Sequence, residues 1–255
     1  MHAKETLLEI KNVSKNYHRG RAVFSAVKKL SLQIQPGEIM GLVGESGCGK
    51  STLARMVMML EQPSEGDIYF AKQNIFKIDH SQKLRMRRHI QIVFQNPYNA
   101  LNPRMTLQQI LNEPLDIHQL FTGYLRSKRI DDLIEMVGLE KKHLNCYPHQ
   151  FSGGQLQRIC IAQALAVEPR LLVCDEPLSA LDLLIQAQII NLLRKCQKEL
   201  GLALLFISHD LAAVDMLADR VAVMYQGEIV ELGQCPHIFQ DPQHPYTKRL
   251  LEAAT

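Results

Sequence analysis

The sequence predicts an α/β fold in which a mostly parallel sheet is covered by helices. Three patterns support this prediction: apolar–polar alternation in the first forty residues, helical spacing from about residue 106 to 147, and alternating helices and strands after residue 153. The last pattern is typical of a parallel sheet with helices on its faces. The first two patterns add an N-terminal antiparallel β subdomain and an inserted helical subdomain to this core.

Two N-terminal strands are predicted where apolar residues alternate with polar ones. The alternating residues are Leu8, Ile10, Leu30, Leu32 and Ile34. Pro36-Gly37 predicts a turn, after which residues 38–43 form a short apolar strand that leads into a glycine-rich loop. Residues 50–60 have helical spacing, and a turn at 63–66 is expected to end that helix.

The inserted segment has no strand pattern, and its helices are expected to break at Pro114 and Gly138. Beyond it, the predicted order is helix 153–167, strand 171–174, helix 182–200, strand 203–207, helix 210–217 and strand 221–225. Asp182 is expected to cap the longest of these helices. The buried face of that helix should carry Ile185, Ile189, Leu192, Cys196 and Leu200. A tight hairpin at Gln226-Gly227 and a short helix past Pro245 follow.

The composition is that of an ordinary globular protein. The chain has 255 residues, of which 46% are hydrophobic and 22% charged, and its formal charge is +3. This length can bury a substantial core, and the small charge gives no reason to expect nucleic acid as a partner. No apolar run approaches the ~18 residues that span a bilayer, and the N-terminus lacks the pattern of a signal peptide. We therefore expect the chain in the cytosol.

A glycine-rich segment between a predicted strand and a predicted helix carries the first chemical signal. It consists of Gly44, Glu45, Ser46, Gly47, Cys48, Gly49, Lys50 and Ser51, followed by Thr52. The segment fits the pattern G-x-x-x-x-G-K-[ST], in which backbone N–H groups surround phosphates at a helix N-terminus. Lys50 should reach the β- and γ-phosphates, and the Ser51 hydroxyl should ligate Mg²⁺. The sequence therefore predicts a P-loop NTPase core.

Two acidic residues follow the apolar strand predicted at 171–174. Asp175 and Glu176 would lie at the carboxyl end of that strand, where α/β sheets hold ligands. Asp175 is expected to hold Mg²⁺ through water, and Glu176 to orient or deprotonate the attacking water. Two acids in a loop are common by themselves, but together with the P-loop they indicate nucleotide hydrolysis.

The six cysteines are scattered without CxxC spacing, so neither a zinc site nor a redox motif is indicated. Cys160, Cys174 and Cys196 have apolar neighbours and should be buried and inert. Cys48 differs, because it precedes a helix N-terminus and lies two residues from Lys50. Both features favour a thiolate, so we expect a lowered pKa and a reachable thiol that maleimide labels first. The alternative is that Cys48 fills a small position in the loop and points away from solvent.

A second glycine-containing segment begins the helix predicted at 153–167. It consists of Phe151, Ser152, Gly153, Gly154 and Gln155. Two glycines at a helix start weaken the helix unless something must approach the backbone closely. A helix N-terminus with exposed N–H groups and a serine hydroxyl is suited to an anion.

The segment 152–155, with the sequence SGGQ, resembles the signature motif of ABC ATPases, and further motifs of that family occur in the family order. Tyr17 matches the aromatic residue that stacks on adenine, and Gln95 matches the Q-loop glutamine that joins the helical subdomain to the metal site. Residues 179–182 (Ser-Ala-Leu-Asp) match the D-loop. His209 matches the switch histidine that senses the γ-phosphate. These motifs cover nearly the whole chain and argue against a different P-loop enzyme such as a small-molecule kinase.

The resemblance implies an ATPase that uses ATP and Mg²⁺ and forms one domain over residues 1–255. The core and β subdomain would comprise about 1–95 and 151–255, and the helical subdomain 96–150, with the signature at 151–155. The residues implied to be catalytic are Glu176, His209, Gln95 and Lys50. Those implied to bind Mg²⁺ are Ser51, Gln95 and Asp175. Those implied to contact the nucleotide are Tyr17, residues 44–52, residues 152–155 and Asp182.

The resemblance also implies an assembly, because in this family the signature of one subunit closes over the γ-phosphate held by the P-loop of another. The chain would then form half of a head-to-tail dimer with two composite ATP sites. The second ATPase subunit could be a copy of the chain or a paralogue.

Shorter segments resemble the importer group for dipeptides, oligopeptides and nickel. They are residues 95–97, 100–104, 149–151 and 241–247. This resemblance implies two transmembrane permease subunits and an extracytoplasmic solute-binding protein as partners, with the chain peripheral on the cytoplasmic face of the inner or plasma membrane. Some members continue into an extension with cysteines for an iron–sulfur cluster, and because the sequence stops at Thr255 we expect no cluster. The alternative is a non-transport ABC ATPase, such as an accessory subunit of carbon–phosphorus lyase.

Overall fold

The computed structural model describes residues 6–20, 22–179 and 181–253. Its strands are β1 (Leu8–Arg19), β2 (Ala22–Ile34), β3 (Ile39–Val43), β4 (Glu65–Phe70), β5 (Gln73–Asn74), β6 (Ile90–Val93), β7 (Leu171–Asp175), β8 (Ala203–Ile207), β9 (Arg220–Tyr225) and β10 (Glu228–Gln234). Its α-helices are α1 (Lys50–Val57), α2 (His80–His89), α3 (Pro97–Ala100), α4 (Leu107–Ile117), α5 (Gly123–Met136), α6 (Gly153–Leu165), α7 (Leu183–Leu200), α8 (Leu211–Leu217), α9 (Cys235–Gln240) and α10 (Pro245–Glu252). Two 3₁₀ turns, Lys141–Asn145 and Pro148–Gln150, precede α6.

A six-stranded sheet forms the centre of the protein, with the strand order β10-β9-β3-β8-β7-β6. All neighbouring strands from β9 to β6 pair in parallel, whereas β10 pairs antiparallel with β9 at one edge. Successive residues of β3 enter two different apolar clusters: Ile39 and Val43 enter one, and Met40 and Leu42 the other. Both faces of the sheet are therefore covered, which explains why β3 reads as a continuous apolar run.

A second, antiparallel sheet has the order β2-β1-β4-β5. Its longest pairing joins β1 to β2, from Leu8 opposite Ile34 to Arg19 opposite Ala22. This sheet is the predicted N-terminal β subdomain, and the two sheets together confirm the predicted fold class. The turn expected at 63–66 is shorter than predicted, because β4 begins at Glu65 and pairs with β1.

The segment between β6 and α6 contains helices and no strand among its described residues. Its helix α4 begins with a reciprocal capping box, in which Thr106 Oγ1 accepts the Gln109 N–H at 3.3 Å and Gln109 Oε1 accepts the Thr106 N–H at 2.8 Å. The expectation that Pro114 breaks this helix is wrong, because α4 continues through Pro114 to Ile117. Proline removes one helical donor but does not stop a helix that packing holds in place.

The longest helix, α7, begins as expected, since the Asp182 side chain accepts the Ile185 N–H at 3.0 Å. Ile189, Leu192 and Cys196 are buried on its inner face, but the prediction that Leu200 is buried is wrong, because that residue is 42% exposed. Leu200 is the last helical residue, and Gly201 after it has a left-handed conformation that ends the helix. No helix within the described ranges has both the length and the apolar character that crossing a membrane requires.

Candidate functional site

A cavity of about 320 Å³ lies between the loop after β3 and the residue after β7. Its lining residues are Tyr17, Phe24, Ala26, Ser46, Gly47, Gly49, Lys50, Ser51, Thr52, Gln95 and Glu176. The fold therefore brings residues from β1, the P-loop and the ends of β6 and β7 to one place. Gly44, Glu45 and Cys48, which were also predicted to contact nucleotide, are not among these lining residues.

The P-loop lies tightly against neighbouring backbone. Gly44 has a φ of +149°, and a Cβ there would lie 2.1 Å from the carbonyl oxygen of Met224 on β9. Gly49 has a φ of +111°, and a Cβ there would lie 2.3 Å from the carbonyl oxygen of Ala26. Only glycine fits such close approaches at these backbone angles.

Lys50 is buried at the centre of this loop. Its ammonium Nζ donates to the carbonyl oxygens of Gly44 at 2.7 Å and of Glu45 at 3.0 Å. The ammonium is thus held inside the curve of the loop. It lies beside the cavity, at the N-terminus of α1.

Ser51 and Asp175 form the pair of side chains that best fits Mg²⁺. The Ser51 hydroxyl donates to Asp175 Oδ1 at 3.2 Å. Burial raises the pKa of the Asp175 carboxyl, and the hydrogen bond from Ser51 opposes that shift. A bound cation would favour the ionised carboxylate. Mg²⁺ uses few protein oxygens and keeps several waters, so one hydroxyl and one carboxylate are a sufficient contribution from the protein.

Glu176 follows directly after β7 with a left-handed φ of +51°, which is uncommon for a residue other than glycine. Its N–H donates to the Ile207 carbonyl at 2.9 Å, so this backbone angle is fixed by the sheet. The Oε2 atom accepts the Gln95 Nε2 amide at 3.1 Å and lies 3.3 Å from His209 Nδ1. Gln95 thus contacts Glu176. The strained backbone angle of Glu176 sets the direction in which its side chain leaves the end of β7.

Tyr17 lines the outer part of the cavity. Its hydroxyl donates to the Glu61 carboxylate, and the Lys15 ammonium lies 5.3 Å from the centre of its ring. Phe24 lies opposite Tyr17 on β2 and is 60% exposed. The sequence reasoning missed Phe24 and Ala26; pairing the Tyr17 strand with the strand after it would have placed Phe24 beside Tyr17.

The signature residues do not line the cavity of their own chain, as far as the described residues show. Ser152 caps α6: its hydroxyl accepts the Gln155 N–H at 3.3 Å, and Gln155 Oε1 accepts the Ser152 N–H at 3.0 Å. A Cβ on Gly154 would lie 2.6 Å from Ile185 Cγ2, whereas a Cβ on Gly153 would meet only Leu181 Cδ2, at an ordinary contact distance of 3.8 Å. Because α7 packs so closely against α6 at this point, only glycine fits at position 154. Gly153 leaves the helix N-terminus accessible.

The segment that matches the D-loop is 179–182, and Ala180 within it lies outside the described part of the chain. Asp182 serves as the cap of α7 and does not line the cavity.

The expectation of a reactive Cys48 is wrong. Its side chain is only 8% exposed and belongs to an apolar cluster. Burial raises the pKa of the Cys48 thiol, and the Lys50 ammonium, 3.9 Å from the sulfur, opposes that shift without reversing it. The alternative, a small side chain that points inward, is therefore correct. Cys160, Cys174 and Cys196 are buried as expected, and burial raises the pKa of Cys160 to about 12.

Comparison with known proteins gives a consistent result. A family model described as ABC transporter matches residues 27–179. The oligopeptide transport ATP-binding protein OppF of Bacillus subtilis (strain 168) is 49% identical over 251 residues, which are 98% of this chain and 82% of OppF. The dipeptide transport ATP-binding protein DppF of Haemophilus influenzae is 48% identical over 228 residues, which are 89% of this chain and 70% of DppF.

A solved structure extends the similarity to three dimensions. The ATP-binding cassette MJ0796, as a dimer in a post-hydrolysis state bound to ADP and Pi, superposes with a TM-score of 0.81 at 32% sequence identity. The match covers 90% of this chain and 99% of that chain. The similarity thus includes both the sheets and the inserted helices.

Proposed function

The chain belongs to the ABC transporter family, and from this premise we propose that the cavity beside Lys50 is where it hydrolyses ATP to power an importer of peptides. One observation carries the proposal: P-loop residues, Ser51 and Glu176 line a single cavity, and Asp175 is hydrogen-bonded to Ser51 at that cavity. These are the three parts that phosphoryl transfer to water requires, namely a phosphate cradle, a metal position and a group that handles the attacking water.

The chemistry follows from the positions of these groups. Lys50 and the N–H groups of the P-loop bind the triphosphate. Mg²⁺, held by Ser51 and through water by Asp175, would neutralise charge on the phosphate oxygens. Glu176 accepts a proton from a water molecule whose oxygen bonds to the γ-phosphorus. The bond from that phosphorus to the bridging oxygen breaks, and ADP leaves with the electron pair.

Gln95 and His209 act on the same carboxylate in this proposal. Both contact Oε2 of Glu176, so they fix the direction in which its free lone pairs point. Gln95 follows β6 and leads into the helices of the inserted segment. Movement of those helices would therefore change the orientation of Glu176.

We propose a second ATPase subunit, because the residues of the signature lie away from the cavity of their own chain. Ser152 and the accessible N-terminus of α6 would complete the phosphate site of the partner subunit, as anion-binding groups at a helix N-terminus can. ABC cassettes form dimers and work with transmembrane permeases in import systems, and the similar cassette MJ0796 is a dimer. A head-to-tail arrangement with two composite sites is the arrangement that we propose for this chain.

The solute and the other partners are inferred from the relatives. OppF and DppF are named for oligopeptide and dipeptide transport. We propose that this chain energises uptake of short peptides through two permease subunits that receive solute from an extracytoplasmic binding protein. The chain would then lie peripherally on the cytoplasmic face of the membrane.

The proposal is tested by peptide uptake in cells that carry Lys50→Ala in place of the natural chain. Loss of the ammonium removes a main contact to the triphosphate, so we expect uptake of a labelled dipeptide or tripeptide to fall at least tenfold. Lys141→Ala is a matched control, because Lys141 pairs with Asp131 on the surface. It should take up peptide at the normal rate.

Two results would contradict the proposed function. Normal peptide uptake in the Lys50→Ala cells, at an equal protein level, would show that the chain does not power a peptide importer. Loss of growth on phosphonates with peptide uptake intact would favour an accessory role in carbon–phosphorus bond cleavage.

A further inference from the structure

The start of the C-terminal helix α10 is tied to the hairpin strand β10. The N–H groups of Gln243 and His244 donate to the Glu231 carboxylate at 2.7 and 3.1 Å. His244 Nδ1 in turn accepts the N–H of Tyr246 at 3.2 Å. Burial alone would raise the pKa of the Glu231 carboxyl, but the hydrogen bonds that it accepts leave the pKa below its ordinary value. We call Glu231 together with residues 243–246 the C-terminal clasp.

Tyr246 connects this clasp to the P-loop. The residue is 3% exposed, and its ring centre lies 4.1 Å from that of Tyr225 at the end of β9. Its hydroxyl oxygen accepts the backbone N–H of Glu45 at 3.1 Å. Glu45 is the second residue of the P-loop, 201 positions earlier in the chain. The contact therefore joins the C-terminal helix α10 to the P-loop.

Glu45 holds the first turn of the P-loop through its backbone N–H and carbonyl, which belong to two successive peptide groups. Its carbonyl oxygen accepts from Lys50 Nζ at 3.0 Å and from the Cys48 N–H at 3.3 Å. When the Lys50 ammonium moves to a phosphate, it gives up its bond to this carbonyl. The bond to Tyr246 uses the Glu45 N–H instead of this carbonyl, so it does not require the bond from Lys50. Glu45 is an exposed residue, but its bond to the buried Tyr246 is partly shielded from water, and a backbone N–H that loses such a partner destabilises the conformation that it belongs to.

We propose that Tyr246 is a positioning residue for the P-loop: its hydroxyl fixes the peptide group that joins Gly44 to Glu45, so that the phosphate-binding N–H groups are arranged before nucleotide arrives. The C-terminal clasp is thereby part of the nucleotide site, although none of its residues lines the cavity at Lys50. This inference rests on the proposed function, since it assigns a role in nucleotide binding.

The matched pair Tyr246→Phe and Tyr225→Phe tests this inference in the 255-residue chain. Both variants keep the contact between the two rings and remove one hydroxyl. The Tyr225 hydroxyl, however, contacts only the exposed side chain of Gln226 among the contacts that the structure describes. Removing one neutral hydrogen bond weakens a conformation by about three- to tenfold. We therefore expect Tyr246→Phe to raise the dissociation constants of MgATP and of Mg-tripolyphosphate by the same factor. Tyr225→Phe should leave both unchanged.

Two further readouts separate positioning from general stability. Without nucleotide, the P-loop peptide that contains Glu45 should exchange its amide hydrogens about three- to tenfold faster in Tyr246→Phe than in Tyr225→Phe. In the assembled ATPase, KM for ATP should rise by a similar factor while kcat at saturating ATP stays the same. Glu231→Gln, which loosens the clasp without touching Tyr246, should shift exchange and affinity in the same direction by a smaller factor.

The inference is overturned if Tyr246→Phe and Tyr225→Phe bind MgATP equally and exchange the P-loop amides at equal rates. It is also overturned if kcat falls while KM is unchanged, because the hydroxyl would then act on the chemical step. A failure of the unaltered chain to bind MgATP would instead contradict the proposed function. The exchange measurement without nucleotide would still decide the role of Tyr246.

Discussion

Glu176→Gln is expected to bind MgATP normally and to lose nearly all turnover. The amide that replaces the carboxylate cannot take a proton from water, whereas Lys50 and the Ser51–Asp175 pair are unchanged. General-base catalysis contributes about 10²–10⁴-fold to such reactions, so ATP turnover should fall by at least 100-fold. The measurement is phosphate release by the chain assembled with its partners, alongside an independent measurement of nucleotide affinity.

Glu168→Gln is the control for this prediction. Glu168 is an exposed acid that forms ion pairs with Arg88 and Arg129 at 3.8 and 3.9 Å, and it has no contact with the cavity. Its substitution should leave turnover unchanged. Turnover at the normal rate in Glu176→Gln would show that another group handles the attacking water.

Gly44→Ala is expected to abolish nucleotide binding and to destabilise the fold. An added Cβ would lie 2.1 Å from the Met224 carbonyl oxygen, and both groups belong to backbone that cannot rotate away. Strained backbone and overpacking each cost about 1–3 kcal/mol, so the free energy of unfolding should fall by roughly 2–6 kcal/mol. The P-loop can relieve the clash only by moving off β9, and that movement displaces the phosphate-binding N–H groups.

Gly201→Ala isolates the contribution of the backbone angle. Gly201 has a φ of +64°, and a Cβ there would meet nothing within 4 Å. This variant should lose only about 1 kcal/mol of unfolding free energy and bind MgATP as the unaltered chain does. Denaturant unfolding and calorimetry of MgATP binding measure both quantities. Equal losses in the two glycine variants would contradict the close contact at Gly44.

The sequence was sufficient to predict those features that depend on local patterns. The P-loop was recognisable because glycine, lysine and serine occur at fixed spacing between a strand and a helix. Asp175 and Glu176 were recognisable because they follow an apolar run of strand length. The parallel sheet followed from the alternation of such runs with helical spacing. As that topology requires, Lys50, Ser51 and Glu176 line one cavity, and Asp175 is hydrogen-bonded to Ser51.

Features that depend on contacts between distant segments could not be predicted in this way. The local sequence around Cys48 suggested an exposed thiolate, but the inward direction of its side chain is set by packing. Position 154 requires glycine because Ile185 on the next helix lies against it, and no local pattern reveals that contact. Pro114 lies inside α4 because tertiary packing outweighs the local preference of proline. The link from Tyr246 to Glu45 is visible only once the fold is known.

The central claim is that ATP is bound between the P-loop of one subunit and the signature helix of another. Sedimentation velocity of the Glu176→Gln chain, alone and mixed with a sister ATPase subunit, tests this claim most directly. We expect association in MgATP, because the variant binds ATP without consuming it. We expect none in MgADP, which lacks the γ-phosphate that joins the two surfaces. Equal association in both nucleotides, or no association in either with the sister subunit present, would contradict the composite site.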